Sequence, residues 1–185
     1  MIQTSHIDPI LGHYLMLRLI QPEDAGYVFG LRTDPTYNTH LSEVQGTAED
    51  QRRWIASYKT REAAGQEFYH IIARKDGQPC GTVRLYDIGS DQFTWGSWIL
   101  DASKPPKAAL ESAVLSFGFG FETLGRTEAL IDVRHDNHRA AAFYRRFGMT
   151  ETGQDDVNLY FTYTRSRFAI DRPMLWALLT EETPK

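Results

Sequence analysis

Three segments rich in β-branched and aromatic residues, joined by short turns, constrain the fold of this chain more than any other feature. They cover residues 67–75, 80–88 and 92–100. Asp76-Gly77 separates the first two segments, and Gly89-Ser90-Asp91 separates the last two. Such turn sequences reverse the chain between antiparallel strands. The pattern therefore predicts a three-stranded meander in the middle of the chain.

One predicted strand and two predicted helices precede this meander. Residues 14–20 (YLMLRLI) are rich in β-forming residues and predict a first strand. Pro22 is typical of a helix start, and Asp34-Pro35 ends that first helix. Thr47 is typical of an N-cap residue, and the helix it starts is predicted to end near Ala64.

Helices and strands alternate after the meander. Pro105-Pro106 marks the start of a long helix, in which apolar residues recur at helical spacing. These residues are Leu110, Val114, Phe117, Phe121 and Leu124. Residues 128–134 predict a strand and residues 137–147 a second helix. Two strands follow, over residues 150–154 and 158–165.

The order β-α-α-β-β-β-α-β-α-β-β predicts an α/β fold with a mixed sheet. We expect one domain over residues 1–170 and a helical tail over residues 171–185. Within that tail, residues 174–179 are apolar and predict a short helix. An exposed apolar face on this helix would suit packing in a homodimer.

Composition excludes several classes of protein. A chain of 185 residues with 42% hydrophobic residues can bury a core, so it is not mainly disordered. A formal charge of −4 argues against nucleic-acid binding, and no terminal apolar run approaches the roughly 20 residues of a membrane span. The single Cys80 excludes an internal disulfide, and Asp8-Pro9 argues against a signal peptide. We expect a cytoplasmic protein that binds neither nucleic acid nor membrane.

The segment DNHRAAAFYRRFGM, at residues 136–149, carries the most specific motif. It has Asn, Ala, Tyr, Gly and a large apolar residue at fixed spacing, namely Asn137, Ala140, Tyr144, Gly148 and Met149. This pattern resembles the last motif of the GCN5-related N-acetyltransferases (GNAT). Upstream matches lie at Gly81 and at residues 96–99 and 121–125, so the resemblance covers about residues 14–165.

The resemblance implies a GNAT-like fold, with a mixed, mostly antiparallel sheet flanked by helices. It also implies a splay between the fourth and fifth strands, here residues 95–100 and 128–134. Residues 81–88, 93–100 and 132–134 further resemble a bacterial subgroup that acetylates nucleotide-linked amino sugars for surface glycans.

The same resemblance implies roles for residues of the predicted helix at residues 137–147. Tyr144 would protonate the departing thiolate as general acid, and Asn137 would hydrogen-bond the pantetheine arm of acetyl-CoA. Because these residues are seven apart, they lie on one helix face, about 10.5 Å apart along the axis. Phe143 is assigned to the cofactor site as well. The alternative for Tyr144 is a phenol packed in the core.

Main-chain groups of Trp98, Ile99 and Leu100 are expected to meet the pantetheine amides and the oxyanion. Gly96 fits a bulge or a close backbone approach at this strand.

Pyrophosphate is expected at the start of the long helix, where free N–H groups and the helix dipole attract anions. The family's glycine-containing loop is replaced here by KPPKAA at residues 104–109. We hypothesise that the Lys104 and Lys107 ammonium groups compensate for the lost donors, beside the N–H groups of Lys107, Ala108 and Ala109. The alternative is a pair of solvated lysines.

The acceptor side is less defined by sequence. Arg84, Tyr86 and Trp95 lie on the central hairpin and are assigned to the acceptor site, although packing within the sheet would explain them equally. Many relatives carry a carboxylate that acts as the general base two residues before the glycine of this strand. Here the glycine is Gly96, and Thr94 occupies the position of the carboxylate. The general base is left open between a water relay and the side chains of Glu43, His40, Asp87 and His135; Glu43 and His40 are also assigned to substrate binding.

The leading hypothesis is direct transfer of an acetyl group from acetyl-CoA to the primary amine of an amino sugar, either free or nucleotide-linked. His135 and His138 lack a third ligand at zinc-site spacing, so no metal is expected. Two alternatives stay open: acetylation of a protein N-terminus, as in ribosomal-protein acetyltransferases, and a catalytically silent acyl-CoA-binding module.

Overall fold

The computed structural model describes residue 7 and residues 9–181. Their central feature is an eight-stranded sheet with the order β1-β2-β3-β4-β5-β6-β8-β7. The strands are β1 (Ile10–Leu11), β2 (Leu15–Leu19), β3 (Phe68–Arg74), β4 (Pro79–Tyr86), β5 (Gln92–Leu100), β6 (Glu128–Arg134), β7 (Thr150–Gln154) and β8 (Asn158–Thr164). The predicted meander is confirmed as β3, β4 and β5.

Strands β5 and β6 separate along the middle of the sheet. They form the single parallel pair among the described strands, and pair only at Gln92–Thr94 with Glu128–Leu130. Beyond this point β6 continues to pair with β8, whereas β5 diverges. The predicted splay is therefore confirmed. The fourth and fifth predicted strands are numbered β5 and β6 here, because the structure has an additional edge strand, β1.

A β-bulge lies where β5 leaves β6. The register between β4 and β5 shifts between Thr82 and Arg84, and Ser97 has a φ of 48°. The Thr82 hydroxyl donates a 3.0 Å hydrogen bond to the Ser97 carbonyl and so ties the bulge to β4. Because bulges bend and twist a strand, this irregularity accounts for the divergence of β5.

Helices cover both faces of the sheet. They are α1 (Ala25–Thr33), α2 (Pro35–Asn38), α3 (Ala48–Ala63), α4 (Ala108–Gly118), α5 (His138–Phe147) and α6 (Arg165–Thr180). Apolar residues of α4, α5 and α6 form the larger core with one face of the sheet, and α1 and α3 form a smaller core on the other face. No helix in the described part of the chain is long and apolar enough to cross a membrane.

The long helix differs from its prediction at both ends. It begins at Ala108, after a turn in which the Ala108 N–H donates to the Pro105 carbonyl. It continues beyond Gly118 as a π-helical turn over Phe119–Thr123. A Cβ on Gly120 would lie 2.3 Å from the Phe93 ring, so this turn packs its backbone directly on the sheet.

The C-terminal helix is longer than predicted. It begins at Arg165, which the sequence pattern places in the last strand, and the predicted boundary at residue 170 falls inside it. Its Phe168, Leu175 and Leu179 are buried. Residues 182–185 of the predicted tail lie outside the described residues.

Candidate active site

Two cavities meet at the splay between β5 and β6. The first, of about 340 Å³, lies on the sheet face that carries α1 and α3, and we call it the sheet-face cavity. The second, of about 290 Å³, lies beside α5, and we call it the α5 cavity. Trp98 and Asn137 line both cavities. A ligand that passes through the splay would therefore contact both.

Tyr144 projects from α5 into the sheet-face cavity, although only 5% of the residue is exposed. Its ring packs against Trp95 and Phe161 at centroid distances of 5.9 and 5.6 Å. Burial, together with the negative charge of Asp132, raises the pKa of the Tyr144 phenol above its usual value. The phenol is thus protonated at neutral pH and can act as a proton donor.

Helix α5 is well defined at both ends. The Asn137 side-chain oxygen accepts a 3.2 Å hydrogen bond from the Ala140 N–H and caps the helix. Gly148, with a φ of 103°, ends it. Because the side-chain oxygen of Asn137 serves as the cap, its amide nitrogen is the group that can reach a ligand at the splay. The predicted pantetheine contact would use that donor.

The diverging edge of β5 borders the crevice. Ladder pairing between β5 and β6 is recorded only as far as Thr94 and Leu130, so residues 96–100 present their main-chain groups to the opening. Ile99 lines the sheet-face cavity and Leu100 the α5 cavity. Trp98 is held by a 3.1 Å hydrogen bond from its indole Nε1 to the Ser112 hydroxyl on α4. These three residues are therefore brought to the predicted cofactor slot.

Three cationic side chains surround the α5 cavity. Lys104 and Ala109 line it, as does the predicted Phe143. Arg139 and Arg146 also line it and were missed by sequence reasoning. Their spacing of seven residues, which places both on one face of α5, could have revealed them. This cluster suits the phosphate groups of a nucleotide cofactor.

Lys107 and Ala108 are not brought to this cavity. The Lys107 ammonium donates 2.7 Å hydrogen bonds to the carbonyl oxygens of Leu178 and Glu181, at the C-terminal end of α6. Ala108 is 2% exposed and belongs to the core. The hypothesis that Lys107 compensates at a pyrophosphate site is therefore not supported, because tertiary packing gives its ammonium another partner.

The predicted acceptor residues separate into different environments. Tyr86 lines the sheet-face cavity, and a Cβ on Gly96 would lie 3.1 Å from its hydroxyl, which explains the glycine at that position. Arg84 pairs with Glu67 and stacks 4.8 Å from the Tyr86 ring, so it supports Tyr86 from outside the cavity. Trp95 is a correction: it is 1% exposed and donates to the Ser116 hydroxyl on the opposite side of the sheet.

The candidate bases are also separated. His40 lines the sheet-face cavity, with its Nδ1 3.1 Å from Asp136 Oδ1. The His135 Nε2 contacts the Asp155 carbonyl at 2.7 Å. Neither His135, Glu43 nor Asp87 lines either cavity among the described residues. Further residues of the sheet-face cavity that sequence reasoning missed are Arg32, Tyr37, Tyr69, Asp132 and Arg134.

The fold and this site define an N-acetyltransferase: a splayed parallel strand pair, a capped helix that presents a protonated tyrosine, and cavities on both sides. Residues 14–150 match the family model described as an acetyltransferase (GNAT) domain. The chain therefore belongs to the GNAT acetyltransferases and is an enzyme, which contradicts the alternative of a catalytically silent module. GNAT domains generally use acetyl-CoA.

Solved structures agree with this assignment. The chain is similar to apo FdhC, described as a nucleotide-linked sugar GNAT, at 36% identity and a TM-score of 0.83, over 90% of this chain and 96% of that one. A GCN5-related N-acetyltransferase from Brucella melitensis is 16% identical with a TM-score of 0.80, over 98% and 90% of the two chains. The ribosomal-protein-S5-alanine acetyltransferase from Vibrio fischeri, at 12% identity, has a TM-score of 0.73 over 87% and 98%. These last two likenesses show the fold alone. Comparison with curated proteins gives no match.

Proposed function

We propose that this protein transfers an acetyl group from acetyl-CoA to the primary amine of a nucleotide-linked amino sugar. The observation that carries the proposal is the pair of cavities that meet at Trp98 and Asn137, with the Tyr144 ring in the sheet-face cavity 6.3 Å from the Trp98 ring. Acetyl-CoA would lie in the α5 cavity, and the acceptor in the sheet-face cavity. The 36% identity to a nucleotide-linked sugar GNAT supports the same acceptor class.

The residues of the α5 cavity fit an acyl-CoA. Lys104, Arg139 and Arg146 offer cations for its phosphates, and the N–H of Ala109 adds a donor at the start of α4. The free edge of β5 offers main-chain donors and acceptors for the pantetheine amides. When bound, acetyl-CoA supplies the acetyl thioester, and Tyr144 donates its proton to the departing sulfur.

The sheet-face cavity fits a sugar linked to a diphosphate. Tyr37 and Tyr86 supply aromatic surfaces of the kind that pack on sugar rings. Arg32 and Arg134 supply positive charge for phosphate oxygens. A free polyamine is itself cationic and offers no anionic group for these two guanidinium groups to bind. In this proposal the acetyl group passes directly from acetyl-CoA to the amine, without a covalent acyl-enzyme. The proposal also includes a cytoplasmic location for the protein.

The test is thiol release from acetyl-CoA with three sets of amines: UDP- and dTDP-linked amino sugars, peptides with free N-termini, and polyamines. We expect turnover with the nucleotide-linked sugars and a higher KM for the corresponding free amino sugars. Turnover confined to peptides would support the alternative of protein N-terminal acetylation. Turnover with none of the sugars would contradict the proposal.

A further inference from the structure

Asp132 is a carboxylate at the splay that sequence reasoning did not select as a base. Its neighbours on β6, Ile131 and Val133, are buried in the core. Because side chains alternate along a strand, Asp132 faces the opposite side of the sheet, where it lines the sheet-face cavity. It therefore lies on the acceptor side of the opening through which the thioester is presented.

The Asp132 carboxylate is unpaired. Among the described residues, no other residue donates a hydrogen bond to it or forms an ion pair with it. The two nearby acids differ in this respect: Asp136 pairs with Arg134 and His40, and Asp155 accepts from the Tyr160 hydroxyl. Asp132 is thus the cavity carboxylate that remains free to bind a cation from the substrate.

The electrostatic surroundings suit a proton acceptor. Asp155, in the turn between β7 and β8, is the charged group that raises the pKa of Asp132. The uncharged phenols of Tyr86 from β4, Tyr144 from α5 and Tyr160 from β8 lie within the field of the Asp132 carboxylate. Arg32, His40 and Arg134 line the same cavity, but each of them bonds elsewhere: Arg32 to Ser42, and His40 and Arg134 to Asp136. Partial desolvation, together with the charge of Asp155, raises the pKa of Asp132 above its usual value. A base works best when its pKa approaches the working pH, so this shift is in the useful direction.

We propose that Asp132 binds the acceptor ammonium and removes the proton that blocks its attack. This inference rests on the proposed function. One N–H bond of the ammonium breaks, its proton passes to an Asp132 oxygen and then to solvent, and the nitrogen lone pair is freed. The nitrogen then bonds to the thioester carbonyl carbon, and the carbon–sulfur bond breaks. The Tyr144 proton goes to sulfur, and the phenolate takes the second proton from nitrogen.

The test compares Asp132→Asn and Asp132→Glu with wild type. The acceptor is the amine, among the three sets named for the proposed function, that the wild-type enzyme acetylates most rapidly. At pH 7 we expect Asp132→Asn to lower kcat/KM by about 10²- to 10⁴-fold, the usual contribution of a general base. The deficit should shrink as pH rises toward the pKa of the acceptor amine, because free amine then needs no base. Asp132→Glu should restore part of the rate at pH 7.

Two controls separate chemistry from structure. Asp156→Asn removes an exposed carboxylate in the turn between β7 and β8, outside both cavities, and should leave kcat/KM unchanged. Calorimetric binding of acetyl-CoA to Asp132→Asn should match wild type. A fall in kcat/KM for Asp132→Asn that is equal at all pH values would overturn the proposal.

His40 is the competing base. Should His40→Gln reproduce the pH-dependent loss while Asp132→Asn keeps wild-type rates, the proton acceptor is His40 and our inference is wrong. A wild type that acetylates only peptides contradicts the proposed acceptor class, but the comparison at Asp132 still decides this inference.

Discussion

The ring centroids of Trp98 and Tyr144 lie 6.3 Å apart, with the ring planes inclined at 34°. Trp98 is itself fixed by its hydrogen bond to Ser112 on α4 and by the Phe143 ring at 5.1 Å. A chain of contacts thus runs from α4 through β5 to α5 and holds the Tyr144 ring beside Trp98, which lines both cavities. The reactivity of Tyr144 depends on this packing as much as on its own chemistry.

Replacing Tyr144 by phenylalanine should remove the proton donor and keep the ring packing. We expect kcat to fall by about 10²- to 10⁴-fold, with little change in the dissociation constant for acetyl-CoA. Steady-state kinetics and calorimetry measure the two quantities. Tyr14→Phe, which changes a phenol outside both cavities, is the matched control. An unchanged kcat in Tyr144→Phe would place the acid elsewhere.

The three cations of the α5 cavity should affect acetyl-CoA binding, whereas Lys107 should affect only stability. Alanine at Lys104, Arg139 or Arg146 should raise KM for acetyl-CoA by about 1.5- to fivefold each, as expected for exposed ion pairs worth about 0.2–1 kcal/mol. The increases should become smaller at high salt, where wild-type binding is itself weakened. Lys107→Ala should leave this KM unchanged but lower Tm, because its ammonium stabilises the C-terminal end of α6. A raised KM in Lys107→Ala alone would reverse this assignment.

Gly81 is expected to tolerate no side chain. A Cβ there would lie 2.2 Å from the Ile99 carbonyl oxygen, so the β4–β5 pair would have to shift beside the cofactor slot. We expect Gly81→Ala to lower the free energy of unfolding by about 1–3 kcal/mol. Gly26→Ala, in α1 with no atom within 4 Å of its Cβ, should instead stabilise by about 0.5–1 kcal/mol. Urea denaturation measures both, and equal effects would refute the steric argument.

His70 should make the stability of the protein sensitive to acid. Its ring nitrogens are buried without a hydrogen-bond partner among the described residues, and burial lowers its pKa to about 3. The unfolded chain, with a histidine pKa of about 6.5, binds the proton first, so stability falls as pH drops below 6.5. Between pH 7 and pH 5, protonation of His70 in the unfolded chain should lower the free energy of unfolding by about 2 kcal/mol.

His70→Leu removes this contribution and two unsatisfied polar atoms. Urea denaturation at pH 5 and pH 7 should give a smaller pH effect in the variant than in wild type. His13→Gln, at an exposed histidine, is the control and should follow wild type. Identical pH dependence in His70→Leu and wild type would show that another group is responsible.

The predicted homodimer can be tested on α6. Ile170, Met174 and Leu178 recur every four residues and are 75%, 61% and 44% exposed. If this face packs against a second copy, Met174→Glu should convert a dimer to a monomer, because the charge could not be buried unpaired. Light scattering after gel filtration gives the mass. A monomeric wild type would contradict the prediction.

Much of the fold follows from local patterns in the chain. The meander and α5 were predicted because strand and helix periodicity are properties of consecutive residues. The Asn137–Met149 motif, with the resemblance it carries, also led to Tyr144 and to the splay. Element ends were less predictable: α4 starts late because the chain forms a turn at Pro105, and α6 begins within the last predicted strand.

The amino-acid order alone determined the family, the element order and the residues that α5 brings to the crevice, since all of these depend on spacing along the chain. Only the tertiary structure decided which side of the sheet Trp95 and Asp132 face, and what the Lys107 ammonium binds. Those outcomes depend on which helices pack against each face of the sheet and on the docking of α6 against α4. Both are contacts between segments distant in sequence, which no local pattern encodes.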